Sequence, residues 1–203
     1  TSVIICFYII VMSILIINGR NAKSFAAIIG CFAGVAISGL FTVLMSNILS
    51  LTGVIDEDSI YILQLTSANP IDLKAIIFAA IIIGAMGAIM DTAMSISSSL
   101  WEVSIHSGKP TFDALFKSGM NIGRDVMGTM TNTLILAYIG SSLSIVLLFV
   151  AYNSSLLYLF NIEMIIVEVL QALIGSLGIL LTMPITSFIC AALYTKSLKK
   201  FNL

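Results

Sequence analysis

The chain has 203 residues, 59% of them hydrophobic and only 9% charged, with a mean hydropathy of +1.13. A soluble domain carries about 25% charged residues, so this composition cannot cover a water-facing surface. A net charge of −1 gives no basic footprint for nucleic acid.

Residues 25–51 and 169–195 hold 27 residues each without a charge, and 126–162 holds 37. About 20 apolar residues cross a bilayer as a helix. The fold class expected is therefore all-α, a polytopic transmembrane bundle in one domain over residues 1–203. The first span is read over residues 2–17. It is short, opens with Thr1 already in apolar sequence, and lacks the basic start and cleavage pattern of a signal peptide, so the chain reads as truncated at its N-terminus. The second span covers 25–51 and carries a small-residue row, Gly30, Gly34 and Ser38. An acidic connection over 52–72 follows, with Asp56, Glu57 and Asp58.

The third span, 73–101, resolves at about 100° per residue into a stripe: Ala80, Gly84, Gly87, Asp91, Ser95, Ser98 and Glu102. Small residues fill one half of it, where Gly84 and Gly87 would admit a neighbouring backbone. The other half is polar. A connection over 104–123 includes PTFDALFKSGM, read as an amphipathic helix over about 110–120 lying at the cytoplasmic interface. The fourth span, 126–151, begins with a polar patch of Asp125, Thr129, Asn132 and Thr133. The fifth, 162–194, has a seam of Glu168, Gln171, Gly175, Thr182 and Thr186, and Pro184 is expected to interrupt its hydrogen-bond ladder. The three cysteines lie far apart in apolar spans, as core residues do.

Basic residues fix the expected orientation. Arg20, Lys23, Lys109, Lys117, Arg124, Lys196, Lys199 and Lys200 follow the odd-numbered spans, whereas the opposite side has Lys74 alone. Positive charge marks the cytoplasmic side. The visible N-terminus is then outside and the C-terminus cytoplasmic.

Asp91 is the residue most in need of a reason. An ionised Asp deep in hydrocarbon costs on the order of 3 kcal/mol on insertion scales. It escapes by taking a proton or by finding partners in the bundle. At about 1.5 Å per residue, Asp91 lies roughly 15 Å in from Trp101 and Asn132 roughly 12 Å in from Arg124. Asp91, Ser95, Ser98, Asn132 and Thr133 are therefore expected to form one proton or small-cation site. The structural alternative is that Asp91 holds two helices together by hydrogen bonds. Glu102, Arg124 and Asp125 are read as an interface group, solvated or paired, and Glu168 as an outer-side acid. No nucleophile stands with a base, no metal-ligand cluster is visible and no cofactor motif occurs, so no enzyme, metal or cofactor is expected.

The stretches IIIGAMGAIMDTAMSISSSLWEV and SGMNIGRDVMGTMTNTLILAYIGSSL resemble the two hallmark segments of the YibE/F family of bacterial multi-pass membrane proteins, and looser likeness runs through LQALIGSLGILLTMPIT. The resemblance implies a bacterial plasma membrane location and residues ahead of Thr1, and it brings no reaction with it. Gly87-Ala-Ile-Met-Asp91 is also similar to the GxxxD motif on the fourth helix of resistance–nodulation–division transporters and SecD/SecF-type export factors, where the Asp takes part in proton coupling. That resemblance implies five spans equivalent to helices two to six of a half-transporter. The chain departs from it in having Thr92 where the drug exporters carry a second acid, and in lacking a large external domain. Two functions are weighed: a proton- or cation-coupled transport component, and a structural or accessory subunit that assembles with itself or with a partner membrane protein. The lipid bilayer is the partner common to both.

Overall fold

The computed structural model describes residues 2–55, 59–61, 72–107, 111–151 and 161–201. Five helices make up the described fold: α1 (Ser2–Asn18), α2 (Ala22–Ile48), α3 (Leu73–His106), α4 (Phe112–Ala151) and α5 (Glu163–Phe201). No strand occurs among the described residues. Stretches of α2, α3 and α5 (Ala22–Ile48, Leu73–His106 and Glu163–Thr195) are long and apolar enough to cross a membrane, and Ile4–Asn18 is a shorter apolar helix. Of the five expected spans, three thus meet that measure. The acidic run Asp56–Asp58 lies outside the described residues, as do Lys109 and Pro110.

Helix starts follow local chemistry. Asp72 accepts from the backbone N–H groups of Lys74 and Ala75 at 3.0 and 3.3 Å, an N-cap for α3. Glu163 opens α5, and its carboxylate accepts from Thr52 N (2.8 Å), Thr52 Oγ1 (2.6 Å) and Gly53 N (2.7 Å). One side chain therefore ties the start of the α2–α3 connection to the start of α5. Gly53 has φ +94°, and an added Cβ there would lie 2.5 Å from Leu73 Cβ, so only glycine suits that bend.

α5 is central and packs against α2, α3 and α4, whereas α1 touches α2 and α3. α2 and α5 run antiparallel, with Gly30 against Thr186, Gly34 against Thr182, and Gly178 against Ser38. The small-residue row expected on α2 is thus a helix contact, met by hydroxyl-bearing residues of α5. Thr182 Oγ1 donates to the Gly178 carbonyl of its own helix at 2.7 Å. At the other end Tyr194 is fully buried. Its hydroxyl lies 2.7 Å from Ser97 Oγ and donates to Ser97 O at 3.0 Å, while Ser97 Oγ also donates to Lys23 O at 2.6 Å. Three helices are joined there. Cys6, Cys31 and Cys190 are free and buried in the core, as expected.

Two expectations change. The segment read as a separate interfacial helix is the first three turns of α4, which runs unbroken to Ala151. Its apolar face meets protein: Leu115 is 1% exposed and packs with Leu100, Met183 and Tyr194. Phe112 and Phe116 stack at 6.1 Å, and both set their faces against the Phe188 edge or the reverse, at 5.5 and 6.5 Å. Gly119 and Gly123 let this segment approach closely, the first against Leu100 and Ser187, the second against Met183 and Ile96. Likewise, α5 continues through Pro184 rather than ending there. A proline within a helix is tolerated when neighbouring helices hold it in place.

Candidate functional site

The stripe on α3 faces the opposite way from expectation. The buried face of the helix is Ile82, Ala85, Ile89, Ala93, Ile96 and Leu100, which fills the space against α2 and α5. Ala80, Gly84, Gly87, Asp91 and Glu102 are exposed, and Ser95 and Ser98 are half-buried. Asp91 is therefore not a buried carboxylate. Large apolar residues gain more dispersion contact in the core than Gly, Ser or Asp would, so they take the inner face. A Cβ at Gly87 would meet nothing within 4 Å. Gly87 is not at a helix contact in this chain. At Gly84 an added Cβ would meet Gln171 Nε2 at 2.7 Å and the Tyr138 hydroxyl at 2.8 Å, so that glycine does sit beneath α4 and α5 side chains.

Asp91 lines a groove between α1 and α3, of about 360 Å³, together with Ser13, Asn18, Ser95 and Ser98 among polar groups and Ile14, Ile17, Met90 and Met94 among apolar ones. Asn18 Nδ2 donates to Met94 Sδ at 3.8 Å, which fixes the end of α1 against α3. Five side chains bearing oxygen thus come from two helices to one groove. Ser13 and Asn18 were not among the expected site residues. Their signal was present, as polar residues in an otherwise apolar first helix, but α1 was not paired with the Asp91 stripe.

Asn132 and Thr133 do not join this groove. The contacts Gly84–Tyr138 and Ile96–Gly123 set an antiparallel register between α3 and α4, which puts Asp91 level with residues within about one turn of Asn132. The expected match of depth is close, whereas the expected facing is not. Asn132 lines a separate groove between α4 and α5, with Thr131, Ser176, Leu177 and Leu180. Thr133 is exposed, and its hydroxyl returns to its own helix, donating to Met130 O at 2.9 Å and Thr129 O at 3.1 Å. Rotation of α4 about its axis separates the two patches.

Glu102, Arg124 and Asp125 are exposed, and no ion pair joins them among the described residues. His106 is exposed, with Nδ1 2.9 Å from Glu102 O. Glu168 is half-buried on α5, where it lines a cavity with Tyr138 and Ser142. Thr92, fully buried, donates to Ala88 O at 2.8 Å within its helix. Among the described residues no three His, Cys, Asp or Glu side chains come together as a metal cluster.

A family model described as YibE/F-like protein matches residues 1–196, nearly the whole chain. No curated protein and no solved structure matches. The chain belongs to the YibE/F-like family, and with its three long apolar helices it is a multi-pass integral membrane protein.

Proposed function

We propose that this YibE/F-like chain is a component of a proton- or small-cation-coupled transport system in the bacterial plasma membrane, and that ion uptake occurs at the groove between α1 and α3. The convergence of Ser13, Asn18, Asp91, Ser95 and Ser98 on that groove carries the proposal. Asp91 lies 18 residues after Leu73 and 15 before His106 in α3, roughly 25 Å from either end at 1.5 Å per residue. A carboxylate at that depth is costly when bare. Binding a proton removes its charge, and hydroxyl and amide oxygens beside it suit a hard cation, which selects oxygen ligands. Ser95, Ser98, Ser13 and Asn18 supply such oxygens, and the chain is assigned no catalysis. In proteoliposomes with an imposed pH or cation gradient, Asp91→Asn should abolish ion movement and Asp91→Glu retain part of it. Unchanged movement in Asp91→Asn overturns the proposal. Asn132→Ala, in its separate groove, should leave movement intact.

A second reading has its own observation. On the α3 stripe Gly87 is open, with nothing within 4 Å of an added Cβ, as expected of a subunit that assembles with a second copy or a partner membrane protein. Small residues on an open membrane face admit a close helix neighbour. Gly87→Cys cross-linked in native membranes reports this: a product larger than the chain supports assembly, and a lone monomer at every cross-linker length rules it out.

A further inference from the structure

A second cavity lies between α4 and α5, away from the Asp91 groove, and shares no residue with it. Its volume is about 210 Å³ and its walls are mostly apolar, including Ile139, Leu143, Ile165 and Val169. Three polar residues interrupt that wall. Glu168 lies five residues into α5 from Glu163, about 7.5 Å along the helix, at the end of the bundle where the Thr52–Gly53 turn is held. Tyr138 and Ser142 face it from α4 with buried hydroxyls; that of Ser142 has no hydrogen-bond partner, and that of Tyr138 lies beside the Gln171 side chain.

Polar groups in an apolar enclosure are costly unless matched. Glu168 has no hydrogen-bond or ion-pair partner among the described residues. Lys74 is the basic residue at this end of α3, and it lines another groove, with Asn47 and Leu170. A carboxylate thus stands on the wall of an apolar cavity whose lining is half exposed, with no cation beside it among the described residues. An apolar pocket with a few convergent polar groups is the usual form of a small-molecule site. At 210 Å³ the cavity is below the roughly 300–1,000 Å³ of drug-sized pockets, so one alkyl chain fits better than a ring system.

The geometry points to a binding site for an amphiphile with a protonated amine head, its alkyl chain among Ile139, Leu143 and Val169 and its ammonium on Glu168, with Tyr138 and Ser142 alongside. A neutral head would leave the carboxylate unmatched, and an acidic one would oppose it. The amine has two sources of the same chemistry, a free alkylamine and the headgroup of an aminophospholipid. The site is independent of any ion movement at Asp91.

The test uses the purified chain in uncharged maltoside micelles near neutral pH, with binding of decylamine, decanol and decanoate followed by calorimetry. Decylamine should bind about tenfold to a hundredfold more tightly than decanol, the range for a hydrogen bond to a charged group, with decanoate weakest. Glu168→Gln should remove the preference for the amine while decanol binding stays. Ala172→Leu, which fills the cavity one turn from Glu168 and keeps its carboxylate, should weaken decylamine and decanol together and serves if the Glu168 variant does not fold. Added phosphatidylethanolamine that competes with decylamine, where phosphatidylglycerol does not, identifies the lipid as the source. Absence of competition identifies the free amine. Equal binding of the three probes, a preference that survives Glu168→Gln, or an amine affinity untouched by Ala172→Leu overturns the site.

Discussion

Gly30→Ala is the sharpest test of the α2–α5 contact. The three atoms nearest an added Cβ all belong to Thr186: Oγ1, then Cβ at 3.0 Å and Cγ2 at 3.1 Å. Alanine gains about 1 kcal/mol of helix propensity over glycine, whereas overfilling a packed core costs about 1–3 kcal/mol. Thr186 is 0% exposed and cannot swing into open space, so the upper part of that range applies and the net loss should be about 1–2 kcal/mol. Thr186→Ala alone should be mild. It removes a hydroxyl that is buried without a hydrogen-bond partner, so no orphaned group is left behind. In the Thr186→Ala background Oγ1 and Cγ2 are gone, and the Thr186 Cβ at 3.0 Å is the one close atom left. Gly30→Ala should then be neutral or stabilising, a coupling of about 1–2 kcal/mol between the two sites. Helicity followed by circular dichroism through an SDS titration of maltoside-solubilised protein measures each corner of the cycle. Equal losses from Gly30→Ala in both backgrounds would refute the close approach.

Two other contacts make similar claims. Tyr194→Phe removes a hydroxyl that bonds Ser97 Oγ and Ser97 O at a fully buried junction of three helices; it should cost about 1–3 kcal/mol, and an unchanged SDS midpoint would contradict that network. Glu163→Gln replaces one of two acceptor oxygens by an amide that cannot accept from Thr52 or Gly53. Backbone amides of 52 and 53 should then exchange with deuterium at least several-fold faster, while exchange at the α3 core is unaltered; equal rates at 52–53 would show that the carboxylate does not hold the turn.

Much of this architecture is visible in the sequence, because charge-free runs and glycine spacing report on length and close approach. Gly30 and Gly34 mark a helix contact in the sequence and make one in the fold. Facing is a different matter. In water an apolar face must turn inward, but in a bilayer both the lipid and the core are apolar, so a polar stripe carries no sign of which way it points. That is why the Asp91 stripe reads as a seam and is found open. Depth survives the same ambiguity, since rise per residue does not depend on rotation, and Asp91 and Asn132 come within about one turn of one level. The segment at 112–120 misleads for the same reason: Phe112, Leu115 and Phe116 form an apolar face whether lipid or α5 lies against it. Ser13 and Asn18 become informative only when α1 is seen beside α3.

The open face of α3 also allows its two readings to be separated by substitution. At Gly87 a side chain would meet nothing within 4 Å, so Gly87→Leu leaves the packing of this chain untouched and adds about 0.8–1 kcal/mol of helix propensity. Its SDS midpoint should stay the same or rise. If another helix covers this face in the membrane, the same leucine stands in its way, and function or co-purification of the partner should fall with stability intact. Asn18→Leu acts on the groove instead: it removes an oxygen beside Asp91 and its contact with Met94 while leaving the Gly87 surface clear. A transport site predicts that Asn18→Leu weakens ion dependence and that Gly87→Leu does so only where a covering helix is part of the working form. An accessory role predicts the reverse weighting, with association lost in Gly87→Leu and retained in Asn18→Leu. Gradient-driven ion uptake and cross-linked yield, measured on the same two variants, decide between them; if neither variant changes either quantity, the α3 face serves neither purpose.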